Sequence, residues 1–377
     1  MLALVAQPGH AHTTRIEEVP AVQAREGEVL VRTLEVGVCG TDREISEGLF
    51  GIPPQGEPVL VLGHEALAVV ERTGYGFTRG ELVTATVRRS CGHCLACAED
   101  APDSCLTGDY SERGITRLHG YARELVAEDP AQLVVIPKSL GRLGVLAEPT
   151  SICERALRHA RAIGGRQPWQ LERALVLGAG AVGLLMTYLL RLAGVEVWTA
   201  SLEPENDLVE HSGATYVSTQ DGDLSELGKF DLVVEAAGNA QLMARTLGQL
   251  RRNGVACILG IDPRRQTVEI DGRVLGVDLI LENRVLFGSV NAQRRDLLAA
   301  VADLDRARER RKPGEAGFRV GELIPGESAA FVRLRKVLRR RVPAARALRR
   351  PRPASRSRRR PRFVSPRRTR RARRGRT

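Results

Sequence analysis

Four cysteines crowd into fifteen residues, as Cys91-x2-Cys94-x2-Cys97-x7-Cys105. Thiolates at this spacing can close a tetrahedral zinc site inside one loop with no coordination position left over, so the chemistry they offer is structural. Ordinary zinc ribbons use two separated C-x2-C pairs, which this single lobe does not match. The alternative is a set of buried, unliganded thiols. A second group is scattered: Cys39 in Gly37-Val38-Cys39-Gly40-Thr41-Asp42, the pair His64-Glu65 after Gly63, and Glu148 before Pro149. A thiolate, an imidazole and a carboxylate on one zinc leave a position for substrate, as a catalytic site requires. No spacing rule joins these residues, and a lone His after Gly is more often structural than a ligand. Residue type alone leaves that question open.

A third motif, Gly178-Ala179-Gly180-Ala181-Val182-Gly183, has the form G-x-G-x-x-G. It is weak by itself, but here it follows the apolar run Ala174-Leu175-Val176-Leu177 and opens an apolar helical stretch, Val182 to Leu192. In that context Gly178 makes the tight turn, Gly180 lets the backbone approach a pyrophosphate, and Gly183 permits close helix packing. The helix N-terminus then offers unpaired N–H groups to the phosphates. About twenty residues on, after the second strand, stands Glu203, where an acid can hydrogen-bond the adenosine ribose.

These motifs need elements to hold them. Residues 1–154 read as β-rich, with Val29–Val31, Val59–Leu62, Ala66–Val70 and Leu133–Ile136 as short apolar runs broken by Gly and Pro. A helix is predicted over Ser151–Ile163. Residues 155–288 then alternate between strands and helices, with further strands at Val195–Trp198, Leu232–Val234, Val255–Leu259 and Val285–Phe287. Such alternation predicts a doubly wound parallel sheet. His93 and Cys153 read as bystanders to the metal sets, and Cys257 and Trp198 as packing residues. Seven cysteines, four of them clustered, fit metal ligation in a reducing compartment better than a disulfide framework.

The net charge of +12 misleads about partners. Residues 332–377 hold 22 Lys or Arg and no Asp or Glu; subtracting them from 57 basic and 45 acidic residues leaves 35 against 45 over residues 1–331, a net of −10. The body is acidic and carries no helix-turn-helix or RNA-binding signature, which argues against nucleic-acid binding, leaving only the basic tail to support it. No run of about 18 apolar residues predicts a membrane span. The start, Met1-Leu2-Ala3-Leu4-Val5-Ala6, is too short for a signal segment, so the cytoplasm is the expected compartment. The tail, almost wholly Arg, Pro, Ala and Ser, predicts no packed core. It reads either as a disordered arm or as the product of a GC-rich gene translated out of frame, with residues 289–331 an incomplete return to the first domain.

Cys39-Gly40-Thr41-Asp42-Arg43-Glu44-Ile45, Leu62-Gly63-His64-Glu65-Ala66, the four-cysteine lobe and Gly178–Gly183 occur in that order. Together they resemble the zinc-containing medium-chain dehydrogenases, and the first two motifs resemble the glucose 1-dehydrogenase branch, over about residues 1–305. The resemblance implies a GroES-like β-rich catalytic domain joined to a Rossmann doubly wound sheet. It implies a catalytic zinc on Cys39, His64 and Glu148, with Glu65 as an additional or exchangeable ligand. It likewise implies a structural zinc on Cys91, Cys94, Cys97 and Cys105, so two zinc ions per chain. Thr41 would touch the reacting hydroxyl, while Glu112, Glu148 and Asn291 would contact the sugar. Leu259-Gly260-Ile261 and Ser289-Val290-Asn291 would line the nicotinamide half of the coenzyme, with Gly178, Gly180, Ala181, Val182 and Gly183 at its phosphates. The implied reaction oxidises an aldose at C1 to the aldonolactone with hydride transfer to NAD(P) in a homo-oligomer. A polyol, alcohol or threonine dehydrogenase on the same scaffold is the alternative. Three departures from the branch stand out. Ser201-Leu202-Glu203 replaces the Asn-Arg-Arg that grips a 2′-phosphate, which predicts NAD in preference to NADP. Val87 and Ile152 stand where sugar-contacting Asn and Asp are found. Glu44 stands where alcohol and polyol relatives often carry His.

Overall fold

The computed structural model describes residues 1–220, 224–264, 266–309 and 331–332. The Arg-rich tail expected over 332–377 lies outside them apart from its first residue, as does most of the expected return segment after 309.

Six strands of the second half form one parallel sheet: β1 (Arg173–Leu177), β2 (Glu196–Ser201), β3 (Thr215–Ser218), β4 (Phe230–Glu235), β5 (Leu250–Ile258) and β6 (Val285–Gly288). Their spatial order is 3-2-1-4-5-6, with the order reversing between β1 and β4. That reversal opens a crevice at the carboxyl ends of the strands, where ligands bind in sheets of this kind. β4 is buried along its whole length and β1 along all but its first residue, as central parallel strands covered on both faces must be. The edge strand β3 escapes the sequence reading because only Tyr216 and Val217 give it apolar character and no position of it is fully buried.

The main sheet of the first half is antiparallel. Leu125–Glu128, Val29–Gly37, Ala66–Val70, Leu82–Ala85 and Leu133–Ile136 follow one another in a sheet, and Phe331–Val332 pairs with Val36–Gly37. Val29–Gly37 alternates buried and half-buried residues up to Leu34, the signature of a strand with one face on the core. A small sheet of Arg88–Arg89, Ser111–Arg113 and Arg117–Leu118 carries Glu112.

The helix Ala147–Gly164 starts four residues before its predicted position, so Glu148 and Pro149 fall in its first turn. Proline is tolerated there because the first-turn N–H groups have no intrahelical partner. This helix packs one core that is continuous from Val134 and Ile136 of the antiparallel sheet to Val176, Val234 and Cys257 of the parallel one. Against it lies a helix the sequence reading missed, Arg294–Glu309. Its charged text conceals a stripe, Leu297, Ala300, Val301 and Leu304, at helical spacing and buried.

Between these two helices Glu154 faces Asp303, with Arg161 and Asp296 nearby. Burial, and then the Asp303 charge, push the Glu154 carboxyl from 4.5 up to about 7. Below 4.5 the group is protonated in both folded and unfolded chains. Above that value the folded chain keeps a proton the unfolded chain has released, so this contribution is lost as pH rises through about 7. Glu154→Gln should therefore raise Tm relative to the unmodified protein at pH 8 but not at pH 5. Equal shifts at the two pH values in thermal unfolding would overturn this.

Candidate active site

Cys39 follows the long strand Val29–Gly37 and caps the short helix Gly40–Ser46. The Asp42 carboxylate accepts the Cys39 backbone N–H at 3.1 Å, which fixes the direction in which the thiol leaves the turn. The other Asp42 oxygen lies 3.8 Å from Nδ1 of His64. His64 turns its opposite nitrogen, Nε2, to the Cys39 sulfur at 3.1 Å. At 3.8 Å the acid acts on the imidazole by charge rather than through a hydrogen bond, and it favours the charged ring. Asp42 was part of a motif in the sequence but had no role there.

Ligand atoms of Cys39, His64 and Glu65 lie within 4.8 Å of one another. The resemblance put Glu148 in the primary set and Glu65 beside it; in the structure Glu65 stands within that distance of the thiol and imidazole, and Glu148 is close enough to act on His64 and Glu65. Glu65 adjoins His64 in the chain, and its side chain fills the space left by Gly37, where a Cβ would meet the carboxylate oxygen at 1.9 Å. Glu148 comes from the helix Ala147–Gly164 across the cleft and is near enough to repel Glu65. Burial, then Glu148, push the Glu65 carboxyl up to about 8; burial, with Asp42 adding and His64 opposing, pushes Glu148 up to about 7. Burial also raises the Cys39 thiol. At His64 burial opposes the charged ring, but Cys39, Asp42 and Glu148 outweigh it and raise its pKa well above the ordinary value. A thiol and three buried carboxylates around one imidazole fit a dication, which would compensate their charge.

The four-cysteine lobe is also assembled. Cys91 and Cys97 sulfurs are 3.8 Å apart, Cys94 and Cys97 3.5 Å, and Cys94 and Cys105 4.0 Å. Four sulfurs at about 2.3 Å from a tetrahedral zinc are separated by about 3.8 Å, so this set fits the ion as it stands. His93 is exposed, with Nδ1 2.9 Å from the Cys91 carbonyl oxygen. Cys153 and Cys257 are buried, and Trp198 packs edge-on against Phe230 at 5.3 Å between centroids.

Thr41, Glu65 and Glu148 open into a cleft of about 440 Å³ that is shared by both halves of the chain. Glu112 and Asn291 meet on its wall, where Asn291 donates to the Glu112 carboxylate at 2.8 Å. Arg88, unassigned in the sequence, pairs with the same oxygen at 2.9 and 3.1 Å and lies over the Tyr110 ring at 3.9 Å. Val87, Ile152 and Glu44 line the cleft as well. Leu259, Gly260 and Ile261 form another wall with Ser289 and Val290. Glu235, also unassigned, ends β4; its carboxylate accepts N–H groups of Ala237 and Asn239 at 3.0 and 3.2 Å and so shapes the turn that reaches the cleft.

Of the glycine fingerprint only Val182 reaches this wall. Gly178, Gly180, Ala181 and Gly183 form the turn from β1 into the helix Ala181–Leu192. Gly178 has φ +110°, and a Cβ on Gly183 would meet the Gly178 carbonyl oxygen at 1.9 Å, so both positions exclude larger residues. A Cβ at Gly180 would meet nothing within 4 Å, leaving the backbone open to a ligand. Leu184 is the first residue of the helix to bond back, to Gly180, which frees the preceding N–H groups. Glu203 lies just past β2 at the same edge of the sheet, exposed, and takes a hydrogen bond from the Ser201 hydroxyl that lowers its pKa.

Residues 25–138 match the alcohol dehydrogenase GroES-like domain and residues 141–312 the glucose dehydrogenase C-terminus. A glucose 1-dehydrogenase of Methanocella arvoryzae is 38% identical over 326 residues, covering 83% of this chain and 90% of that one. The chain belongs to the glucose 1-dehydrogenase family. Another family member, glucose 1-dehydrogenase 1 of Caldivirga maquilingensis, is 42% identical over 301 residues, covering 78% and 84% of the two chains. The Haloferax mediterranei glucose dehydrogenase, solved with NADP, Zn and gluconolactone, superposes with a TM-score of 0.75 at 35% identity, covering 81% of this chain and 89% of that one. The family fold, a GroES-like domain joined to a Rossmann sheet, is therefore the fold of this chain.

In this family member the Arg88–Glu112 pair is nearly closed to solvent, the side chains being 9% and 11% exposed. Removing one partner of such a pair leaves the other desolvated and uncompensated. Arg88→Met should lower unfolding stability by roughly 3–5 kcal/mol in denaturant titration. A loss below about 1 kcal/mol, the range of solvent-screened pairs, would show that water reaches Glu112.

Proposed function

We propose that the protein oxidises an aldose, glucose or a similar sugar, at C1 to the aldonolactone, reducing a nicotinamide coenzyme with the help of zinc. The observation that carries this reading is the single cleft in which the Cys39–His64–Glu65 group, Glu148, the Glu112–Asn291 pair and the Leu259–Ile261 segment all meet. The name and ligands of the Haloferax mediterranei enzyme point to the same chemistry.

Cys39, His64, Glu65 and Glu148 would hold one zinc and the four cysteines of the lobe a second. Zinc in the first site would supply Lewis acidity toward the hydroxyl being oxidised. Asp42 would hold the Cys39 turn through its backbone N–H and add negative charge beside His64. Thr41, on the first turn of the helix behind Cys39 and lining the cleft, would take the hydroxyl proton toward solvent. Glu112, charged and held by Arg88, and Asn291 offer fixed acceptors and donors to a ring rich in hydroxyls. A site built to hydrogen-bond hydroxyls discriminates strongly against substrates lacking them. Ser289–Asn291 and Leu259–Ile261 would hold the nicotinamide over the sugar, and the fingerprint turn would take the pyrophosphate. The protein orients the reactants while the hydride chemistry belongs to the coenzyme. A second copy of the chain would have a surface to meet at β6, which ends the sheet among the described residues and exposes Leu286. No described helix is long and apolar enough to cross a membrane, and the cytoplasm is the proposed compartment.

The coenzyme proposed is NAD in preference to NADP. Glu203 keeps its charge at the end of β2, and residues 201–205 contain no Lys or Arg. The carboxylate can accept ribose hydroxyls, and it would repel a 2′-phosphate. The difference should be about 2–3 kcal/mol, roughly 30- to 150-fold in kcat/KM. Glu203→Ala should narrow that ratio, and a ratio at or below one in the unmodified enzyme would show that Glu203 does not face the ribose.

Initial rates with glucose, galactose, sorbitol, threonine and ethanol against both coenzymes test the reaction itself. Faster turnover of sorbitol, threonine or ethanol than of any aldose would overturn the sugar reading. Cys39→Ser should abolish activity in a protein that still folds, whereas Cys94→Ser should lower stability first, because a closed metal site contributes folding energy. Metal analysis should find two zinc ions per chain, and a fully active Cys39→Ser protein would defeat the assignment.

A further inference from the structure

Buried charges that the proposed reaction does not use converge on one turn of the cysteine lobe. Asp103 lies in the turn Pro102–Ser104, just before Cys105, and is buried. Its carboxylate pairs with Arg155 and accepts a hydrogen bond from Gln293. Arg155, buried on the helix Ala147–Gly164, donates to Ser104 at 3.1 Å, to Ser289 at 3.4 Å and to the carbonyl oxygen of Val290. A second arm leaves the same turn. The Asp103 carbonyl oxygen accepts from Arg88 at 2.5 Å, Arg88 pairs with Glu112, and Glu112 accepts from Asn291.

Both arms thus begin on Asp103 and end on neighbouring residues, 290 and 291, of the cleft wall. Asn291 has φ +69°, a conformation that surrounding contacts must hold in place. Ser289, Val290 and Asn291 follow directly from the end of β6, so the ring of contacts is their fastening to the first domain. Arg155 is a planar fork whose donors serve four groups at once, which a shorter or unforked cation cannot do. Were the turn to shift, the guanidinium would lose its carboxylate in a dry environment, and the Val290 carbonyl would lose its donor.

We propose that Asp103 and Arg155 are positioning residues that couple the order of the four-cysteine lobe to the Ser289–Asn291 wall, so that the lobe sets affinity for the nicotinamide coenzyme as well as stability. The inference rests on the reading of that wall as coenzyme-facing. Coupling between two sites is reciprocal in binding free energy. Coenzyme binding must then tighten the lobe as much as the lobe tightens coenzyme binding.

The test uses the full chain loaded with zinc. Saturating coenzyme should slow alkylation of Cys91, Cys94, Cys97 and Cys105 by iodoacetamide, followed peptide by peptide by mass spectrometry, by about 5-fold or more. Asp103→Asn keeps the shape and removes the charge; Arg155→Lys keeps the charge and loses the fork. In either variant the dissociation constant for NADH, read from its fluorescence, should rise about tenfold, and saturating NADH should no longer protect the lobe. Protection is measured on the unmodified enzyme, so the result stands even where a variant does not fold. Lobe cysteines indifferent to coenzyme, or a folded variant with unchanged NADH affinity, would overturn the proposal and leave the functional reading intact. An unmodified enzyme that binds neither NADH nor NADPH would overturn both.

Discussion

Negative charge held out of water at the junction of the two domains is the constraint on which the rest depends. Cys39, Asp42, Glu65 and Glu148 surround one imidazole, and burial first, with their mutual repulsion added, raises Cys39, Glu65 and Glu148 above their ordinary pKa values. A folded chain tolerates such a cluster only where a cation compensates it, or where the groups hold protons they would give up in water. The supporting geometry serves that cluster. Gly37 makes room for Glu65, Asp42 braces Cys39 and lays a negative charge beside His64, and Glu148 and Pro149 fall in a first helical turn.

The same junction explains why the site needs the whole body of the molecule. No single element carries more than two of the cleft's functional side chains. Cys39 and Thr41 come from the end of a strand and the helix it enters, His64 and Glu65 from a turn, Glu112 from a three-stranded sheet, and Asn291 from beyond the last parallel strand. The helix Ala147–Gly164 binds these parts together, because its apolar face joins the cores of both sheets while Glu148 and Arg155 point polar groups to the cleft side. Packing in such a core is close to that of organic crystals, so the spacing of the site is set by apolar contacts far from it.

Polar contacts refine what packing sets. The Arg88–Glu112–Asn291 chain turns a charged carboxylate into an oriented one, and Glu235 does likewise for the Ala237–Asn239 turn. These groups are buried, where an unmet hydrogen bond costs more than a met one contributes, so they favour one arrangement of the wall over near alternatives.

Local features were legible in the amino-acid sequence because they depend on near neighbours. The four-cysteine lobe folds around its own spacing, the glycine fingerprint reads from the strand before it and the helix after it, and the alternation after residue 173 announces a parallel sheet. Elements with weak local signal were not legible: β3, with only two apolar residues, and the helix Arg294–Glu309, whose buried stripe sits among eight charged residues. Only the tertiary structure brings both carboxylates to Cys39 and His64, since Glu65 adjoins His64 in the chain whereas Glu148 lies 84 residues further on and is carried to the cleft by a helix. It also brings Asp42, Arg88, Asp103 and Arg155 to their partners. Those contacts reach across 15 to 135 residues in the cases of Arg88 and Arg155, and no periodicity records a contact that exists only after the chain has closed on itself.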